Sequence, residues 1–304
     1  MRTLLVGFIL INVVTVFHAY RFTHFSEDSG AKFNRYQILG TSAKIQALLF
    51  GVKHPRPSND NTPNVAYETI QLNSNKRIEC WSIPVANSKG TIILFHGYGG
   101  RKSSQLGKAE IFRKMGYNTL LVDFMGSGGS EGNQTTIGHK EAEQVKTCYD
   151  HISSNGEKKI YLHGNSMGAV AIMKAISDFH LQPAGIMVEC PYGTLYKTVC
   201  ARFQAMGTPT FIVAGLLTFW GGIENGFWAF GLNPIDFANQ ISCPTLLMYG
   251  AKDDNVSRKE IDDIYANLKG PRQLKVYPQS GHEFYTNKHK KDWTEDVEAF
   301  LKKY

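Results

Sequence analysis

Ser166, Asp253 and His282 are the residues whose types and order could do covalent chemistry in this 304-residue chain. Ser166 sits at the centre of Gly164-Asn165-Ser166-Met167-Gly168. The apolar run Ile160-Tyr161-Leu162 precedes it, and a helix-type pattern from Ala169 to Ile176 follows. A strand, a sharp turn and a helix with serine at the apex form a nucleophile elbow. The backbone there is strained, and glycines at 164 and 168 let strand and helix pass closely because they lack a Cβ. A serine hydroxyl is a weak nucleophile at neutral pH, so it needs a base and the base needs an orienting acid. His282 follows the last strand in Gln279-Ser280-Gly281-His282-Glu283-Phe284, where a loop can bring it over the sheet edge. His180 lies behind the elbow, and His289 lies in a basic, solvated cluster. The acid is expected after the strand Leu246–Tyr249, where Asp253 and Asp254 both qualify by position; the spacing Gly250-x-x-Asp253-x-x-Val256 favours Asp253. Glu189, at the end of an earlier strand, is a more distant candidate whose plainer reading is a polar residue at the sheet rim.

Acyl transfer builds negative charge on the former carbonyl oxygen, which two backbone N–H groups must meet. One is expected from Met167, directly after the nucleophile. The other is expected from Tyr98 in His96-Gly97-Tyr98-Gly99-Gly100, the loop after the first buried strand. His96 is read as a brace for that loop.

These residues need a framework. Tyr67–Leu72 and Arg77–Pro84 read as a hairpin. Strands at Thr91–Phe95, Asn118–Asp123, Ile160–Leu162, Ala184–Glu189, Thr245–Tyr249 and Gln273–Tyr277 alternate with helical patterns at Gln105–Met115, Thr135–Ile152, Ala169–Ile176 and Lys291–Leu301. Such alternation implies an α/β fold, a mainly parallel sheet with helices on both faces.

Five motifs in order, HGYGG, DFMGSGGSEG, GNSMG, GAKDDNV and SGHEF, resemble the α/β-hydrolase superfamily over Tyr67 to Leu301. Within it the chain is similar to the serine aminopeptidase-like and lysophospholipase-like group of esterases. One departure is Asn165, where that group often has His; it alters the polarity of the pocket. The resemblance implies a helical cap inserted at about residues 191–240. That segment is rich in aromatic residues, among them Phe203, Phe211, Phe219, Trp220, Phe227, Trp228 and Phe230, and has no charge between Arg202 and Glu224. Those residues are expected to pack the cap and to supply an apolar pocket wall; Pro209, Gly207, Gly215 and Gly221-Gly222 are expected to interrupt any membrane span. The implied activity is hydrolysis of a carboxylic ester or thioester with an apolar acyl group. The rivals are an aminopeptidase or amidase, which would need a cap carboxylate such as Glu224 to grip an amine, and a non-catalytic binding protein on the same scaffold.

Residues 1–24 place Arg2 before the apolar run Leu4–Phe17, the order of a secretory signal or membrane anchor. A cut after Ala19 would put Phe17, rather than a small residue, three positions before the cut, so signal and anchor stay open. Residues 25–64 read as a connector, with a short helix from Ser42 carrying Ile45, Leu48, Leu49 and Val52, and residues 65–304 as the hydrolase domain.

The net charge of +7 is modest, and its densest cluster, Lys288-His289-Lys290-Lys291, lacks interleaved aromatics, which argues against a nucleic-acid partner. A small ester or lipid-like molecule is the expected partner, with membrane association through the N-terminal segment. Cys80, Cys148, Cys190, Cys200 and Cys243 contain no C-x-x-C pair, so no zinc site is expected. Cys190 with Cys200 is the one conceivable disulfide, although the odd count and scatter favour free thiols. Gly126-x-Gly128 is followed by Glu131 rather than glycine, which fails the dinucleotide fingerprint, and no cofactor is implied.

Overall fold

The computed structural model describes residues 2–27, 50–205 and 211–304. The helix expected from Ser42 falls largely outside them. The core is one eight-stranded sheet with the order β1-β2-β4-β3-β5-β6-β7-β8. In chain order the strands are β1 (Glu68–Asn73), β2 (Arg77–Ile83), β3 (Thr91–Phe95), β4 (Asn118–Val122), β5 (Ile160–Asn165), β6 (Gly185–Glu189), β7 (Thr245–Gly250) and β8 (Arg272–Tyr277). β1 and β2 form an antiparallel hairpin and β2 meets β4 antiparallel, whereas β4, β3, β5, β6, β7 and β8 run parallel. Every residue of β3 and β7 is buried, as expected for parallel strands covered on both faces.

Helices cover both faces, numbered here as α1 (Arg2–Thr23), α2 (Leu106–Lys114), α3 (Glu141–Ser154), α4 (Met167–Phe179), α5 (Leu195–Ala205), α6 (Phe211–Asn225), α7 (Arg258–Asn267) and α8 (Lys290–Lys303). Val145 of α3, Ile172 of α4 and Ile264 of α7 pack with Phe95, Leu162 and Val188 on one face. Phe112 of α2 and Trp293 and Phe300 of α8 pack with Leu94, Tyr161 and Met187 on the other.

Two expectations need correction. The helix predicted from Thr135 starts at Glu141. Residues 135–138 instead wrap around its buried carboxylate, which accepts from Thr135 Oγ1 (2.7 Å), Thr136 N (2.9 Å), Thr136 Oγ1 (2.6 Å) and Gly138 N (3.0 Å). Four donors on one carboxylate outbid the helical alternative. Second, α6 is continuous through Gly215, Gly221 and Gly222. Gly222 is needed there, because a Cβ would sit 2.6 Å from the Phe227 carbonyl oxygen. At 15 residues α6 is still shorter than the roughly 20 that cross a bilayer. Cys190 and Cys200 are unbridged, as are the other three thiols, in keeping with the free thiols that the odd count and scatter favour.

α1 lies against α6, burying Thr15, Ala19 and Thr23 and leaving most of its surface exposed. Its C-terminal end is stitched to the body by Thr135 N→Thr23 O (2.8 Å) and Phe25 N→Asn133 O (2.6 Å).

Beneath the loop after β3, fully buried Lys102 pairs with buried Asp123 and with Glu79 at 2.6 Å. Asp123 also accepts from Lys102 N (2.6 Å) and Gly129 N (3.0 Å). Removing one partner of a buried pair strands the other charge. Lys102→Met is therefore expected to lower stability by about 3–5 kcal/mol, measured by urea unfolding in detergent; a loss below about 1 kcal/mol would mean that water reaches Asp123.

Candidate active site

Ser166 joins β5 to α4 with φ 49° and ψ −115°, a conformation that non-glycine residues rarely hold. It is held by Ser166 N→Glu189 O at 2.8 Å and Val170 N→Ser166 O at 3.1 Å. A Cβ on Gly164 would lie 2.6 Å from the carbonyl carbon of Gly168, and one on Gly168 would lie 2.6 Å from the Phe95 carbonyl oxygen. Both glycines are thus required for strand and helix to cross.

Ser166 Oγ lies 2.9 Å from His282 Nε2, and His282 Nδ1 lies 2.8 Å from Asp253 Oδ2. The second oxygen of Asp253 accepts from Asn255 N (2.8 Å) and Val256 N (2.9 Å). The carboxylate is fully buried while the imidazole keeps about a fifth of its surface. The loops after β7 and β8 are joined by Lys252 N→Ser280 O (2.9 Å), and Gly250 leaves room for that approach: its Cβ would stand 2.5 Å from Ser280 O. The carboxylate fixes the proton on Nδ1, leaving Nε2 to accept from the Ser166 hydroxyl. Burial disfavours a charged ring, but the Cys190 sulfur and the Asp253 carboxylate outweigh it and hold the pKa of His282 above its ordinary value.

The other candidates lie elsewhere. Asp254 is exposed on the loop, and His180 caps α4 in a left-handed conformation, exposed. His289 is not solvated as expected: it is mostly covered, 3.3 Å from Asp292 and with its ring tilted against Tyr277 at 5.5 Å. Glu189 is not a rim residue but fully buried, bonded to Lys108 (2.7 Å), His163 (3.0 Å) and Trp293 Nε1 (2.8 Å). His96 accepts from Phe124 N (3.1 Å) on Nε2 and reaches the Gly97 carbonyl with Nδ1 (2.8 Å), bracing the loop.

Ser166 and His282 open onto a pocket of about 430 Å³, and Tyr98, Met167 and Asn165 also line it. Met167 is the first residue of α4, where amides lack an intrahelical partner. The rest of the wall is mainly apolar, including Ile137, Tyr192, Leu195, Val199 and Phe284. Among the cap aromatics, from which packing and an apolar wall are expected, Phe219, Trp228 and Phe230 are exposed, and the side chains of Phe203 and Phe211 fall outside the described residues. The insertion after β6 contributes through α5.

Two pocket residues carried no usable signal in the sequence. Phe22 sits in what reads as a targeting segment, yet its ring stacks on Tyr98 at 4.7 Å and its carbonyl accepts from Tyr98 Oη at 2.8 Å. Cys190, at φ 40°, places its sulfur within 4.8 Å of Asp253 and His282. Cysteine, histidine and aspartate are metal-ligand types, but both imidazole nitrogens are already engaged by Asp253 and Ser166. The arrangement suits a proton relay better than coordination.

One spectroscopic outcome follows from this geometry. In NMR titration of isotope-labelled histidine, His282 is expected to lose its proton above 6.5, and Asp253→Asn to move the midpoint down by removing the carboxylate. A midpoint unchanged by that substitution would rule out the pairing.

The sequence profile of the prolyl oligopeptidase family matches residues 103–304. The chain is 22% identical to the uncharacterized protein YqkD of Bacillus subtilis over 228 residues, 74% of this chain and 75% of that protein. It is 24% identical to the acylamino-acid-releasing enzyme of Rattus norvegicus (78% of this chain, 34% of that one) and 26% identical to the lysophosphatidylserine lipase ABHD12 of Danio rerio (66% and 54%). It thus spans about a third and about half of the length of those two enzymes. The solved Pyrococcus furiosus esterase Pf2001 superposes with a TM-score of 0.69 at 23% identity, covering 82% of this chain and 97% of that one, a likeness of fold. The chain belongs to the prolyl oligopeptidase family, within the α/β-hydrolase superfamily of serine hydrolases.

Proposed function

We propose that this protein hydrolyses carboxylic esters or thioesters of an apolar acyl group through Ser166, His282 and Asp253. The observation that carries the reading is the continuous hydrogen-bonded line Asp253–His282–Ser166 at 2.8 and 2.9 Å. Ser166 Oγ attacks the carbonyl carbon as its proton passes to His282 Nε2, and Asp253 holds the imidazolium in orientation. The N–H groups of Tyr98 and Met167 meet the oxyanion. His282 then protonates the leaving oxygen or sulfur, leaving an acyl-Ser166. Water attacks that ester, giving its proton to His282, which returns it to Ser166. The same proposal has the protein exported, or anchored to a membrane through α1.

The family and the acylamino-acid-releasing relative favour a second reading, amide or peptide cleavage at the same serine. A substrate with a free amine would need an unpaired carboxylate. Glu283 lines the pocket but is held by Lys288 at 2.5 Å, and Glu224 is not among the lining residues. The apolar wall favours the ester.

Ser166→Ala is expected to abolish fluorophosphonate labelling and to lower turnover of p-nitrophenyl esters by at least about 10⁴-fold. Retained turnover would move the nucleophile elsewhere. Asp253→Asn is expected to cost up to about 10⁴-fold and Asp254→Asn almost nothing. The opposite ranking would shift the acid by one residue. Glu283→Gln separates the two substrate classes: ester kinetics should hold, whereas a sharp rise in KM for an aminoacyl amide would establish the peptidase reading.

The pH dependence has a definite sign. His282 accepts the Ser166 proton only when neutral, so activity falls as pH drops through its pKa. Because that pKa is raised, the acid limb of kcat/KM is expected above 6.5. A limb well below that value would mean that the Asp253 and Cys190 environment does not govern the base.

A further inference from the structure

The surface formed by α1 and α6 has an unusual construction for a protein in water. α1 is 22 residues long, about 33 Å at 1.5 Å per residue, and carries no Asp, Glu, Lys or Arg between Arg2 and Arg21. Only 11% of its apolar window is buried, and its mean hydropathy over that window is 1.9. Several polar side chains of the helix pair bond inside it, the exception being Glu224 of α6, whose Oε2 is buried without a partner. Trp220 Nε1 donates to Asn12 Oδ1 (3.0 Å) and Asn12 Nδ2 to Phe8 O (2.8 Å). Thr15 and Thr218 donate to carbonyls one turn back at 2.9 and 2.8 Å. Internal satisfaction of polar groups beneath an apolar exterior is what a hydrocarbon surrounding demands. The exterior continues from Phe8 (61% exposed) to Ile223 (58%) on α6 and Trp228 (65%) just beyond it.

The foot of α1 is also a wall of the catalytic pocket. Phe22 lines it, stacks on Tyr98 and holds the Tyr98 hydroxyl through its carbonyl, so the last turn of α1 positions the loop that carries Tyr98. Leu195 and Val199 of α5, which packs on α6, form another side of the pocket. Both walls lead toward the apolar pair.

We infer that α1 is a retained membrane anchor, that α1 and α6 together seat in a phospholipid bilayer, and that Ser166 acts on a long-chain acyl ester drawn from that bilayer along the helix pair. Phe22 is a positioning residue, acting through Tyr98. The substrate half rests on the ester-hydrolase reading above; the anchoring half does not.

The test uses the full chain in phosphatidylcholine vesicles. Intact mass of membrane-extracted protein should show residues 2–23 present, and a chain beginning at Tyr20 would overturn retention. Phosphatidylcholine brominated on its acyl chains should quench the tryptophan emission, and Trp228→Phe should reduce the quenchable fraction. Unquenched emission would overturn the seating.

Ile223→Glu is then expected to leave turnover of a short, water-soluble ester within about twofold and to lower turnover of a vesicle-embedded long-chain ester at least tenfold. Equal rates on the embedded ester would overturn the entry route. Quenching in a chain that hydrolyses neither ester and takes no fluorophosphonate on Ser166 would sink the hydrolase reading and the substrate half with it, while upholding the anchor.

Discussion

The backbone of Ser166 is the constraint on which the rest of the site depends. A residue held at positive φ outside glycine costs about 1–3 kcal/mol and persists only where its surroundings over-determine it. Here the surroundings are the crossing of β5 and α4, where Gly164 and Gly168 remove the side chains that would collide with backbone. The Glu189 carbonyl fixes the Ser166 amide from the neighbouring strand. The serine side chain is thereby lifted above the C-terminal edge of the sheet, where the loops after β3, β7 and β8 converge on it.

That edge is stiffened by buried charge on both sides of the elbow. Lys102 and Asp123 tie the loop after β3 to the loop after β4. Glu189, directly before Cys190, is clasped by Lys108, His163 and Trp293. Burial alone would raise the Glu189 carboxyl, but Lys108 and His163 reverse this and hold it at about 2. Such pairs are poor sources of net stability, yet stranding either partner is expensive. They therefore specify one arrangement of the loops, which is what a relay working over 2.8 and 2.9 Å requires.

The pocket joins this rigid edge to an apolar exterior. Its floor is the relay, one wall comes from α5, and another is Phe22 at the foot of α1. Apolar walls exclude water, which strengthens the hydrogen bonds on which acyl transfer would draw. Under the proposed ester reading they suit a greasy acyl group better than a charged amine, since Glu283, the carboxylate that lines the pocket, is already paired with Lys288.

Much of this was written in local sequence. Strands buried on both faces read as short apolar runs, and β3 coincides with its predicted limits at Thr91 and Phe95. The elbow, Asp253 and His282 stand in short motifs whose spacing reflects backbone geometry, so the residues that meet in the structure are legible in the sequence. Even α7 is announced by Ser257 and Glu260, which form a capping box. What local pattern could not supply were contacts between distant segments. Thr135 to Lys140 looks helical until the Glu141 carboxylate takes their donors. Glu189 looks like a rim residue until α2 and α8 close over it with Lys108 and Trp293. Phe22 looks like part of a targeting segment until Tyr98, 76 positions away, stacks on it. Sequence determines periodicity and turn chemistry because these act between near neighbours; burial and long-range pairing are decided only when the sheet and its helices assemble.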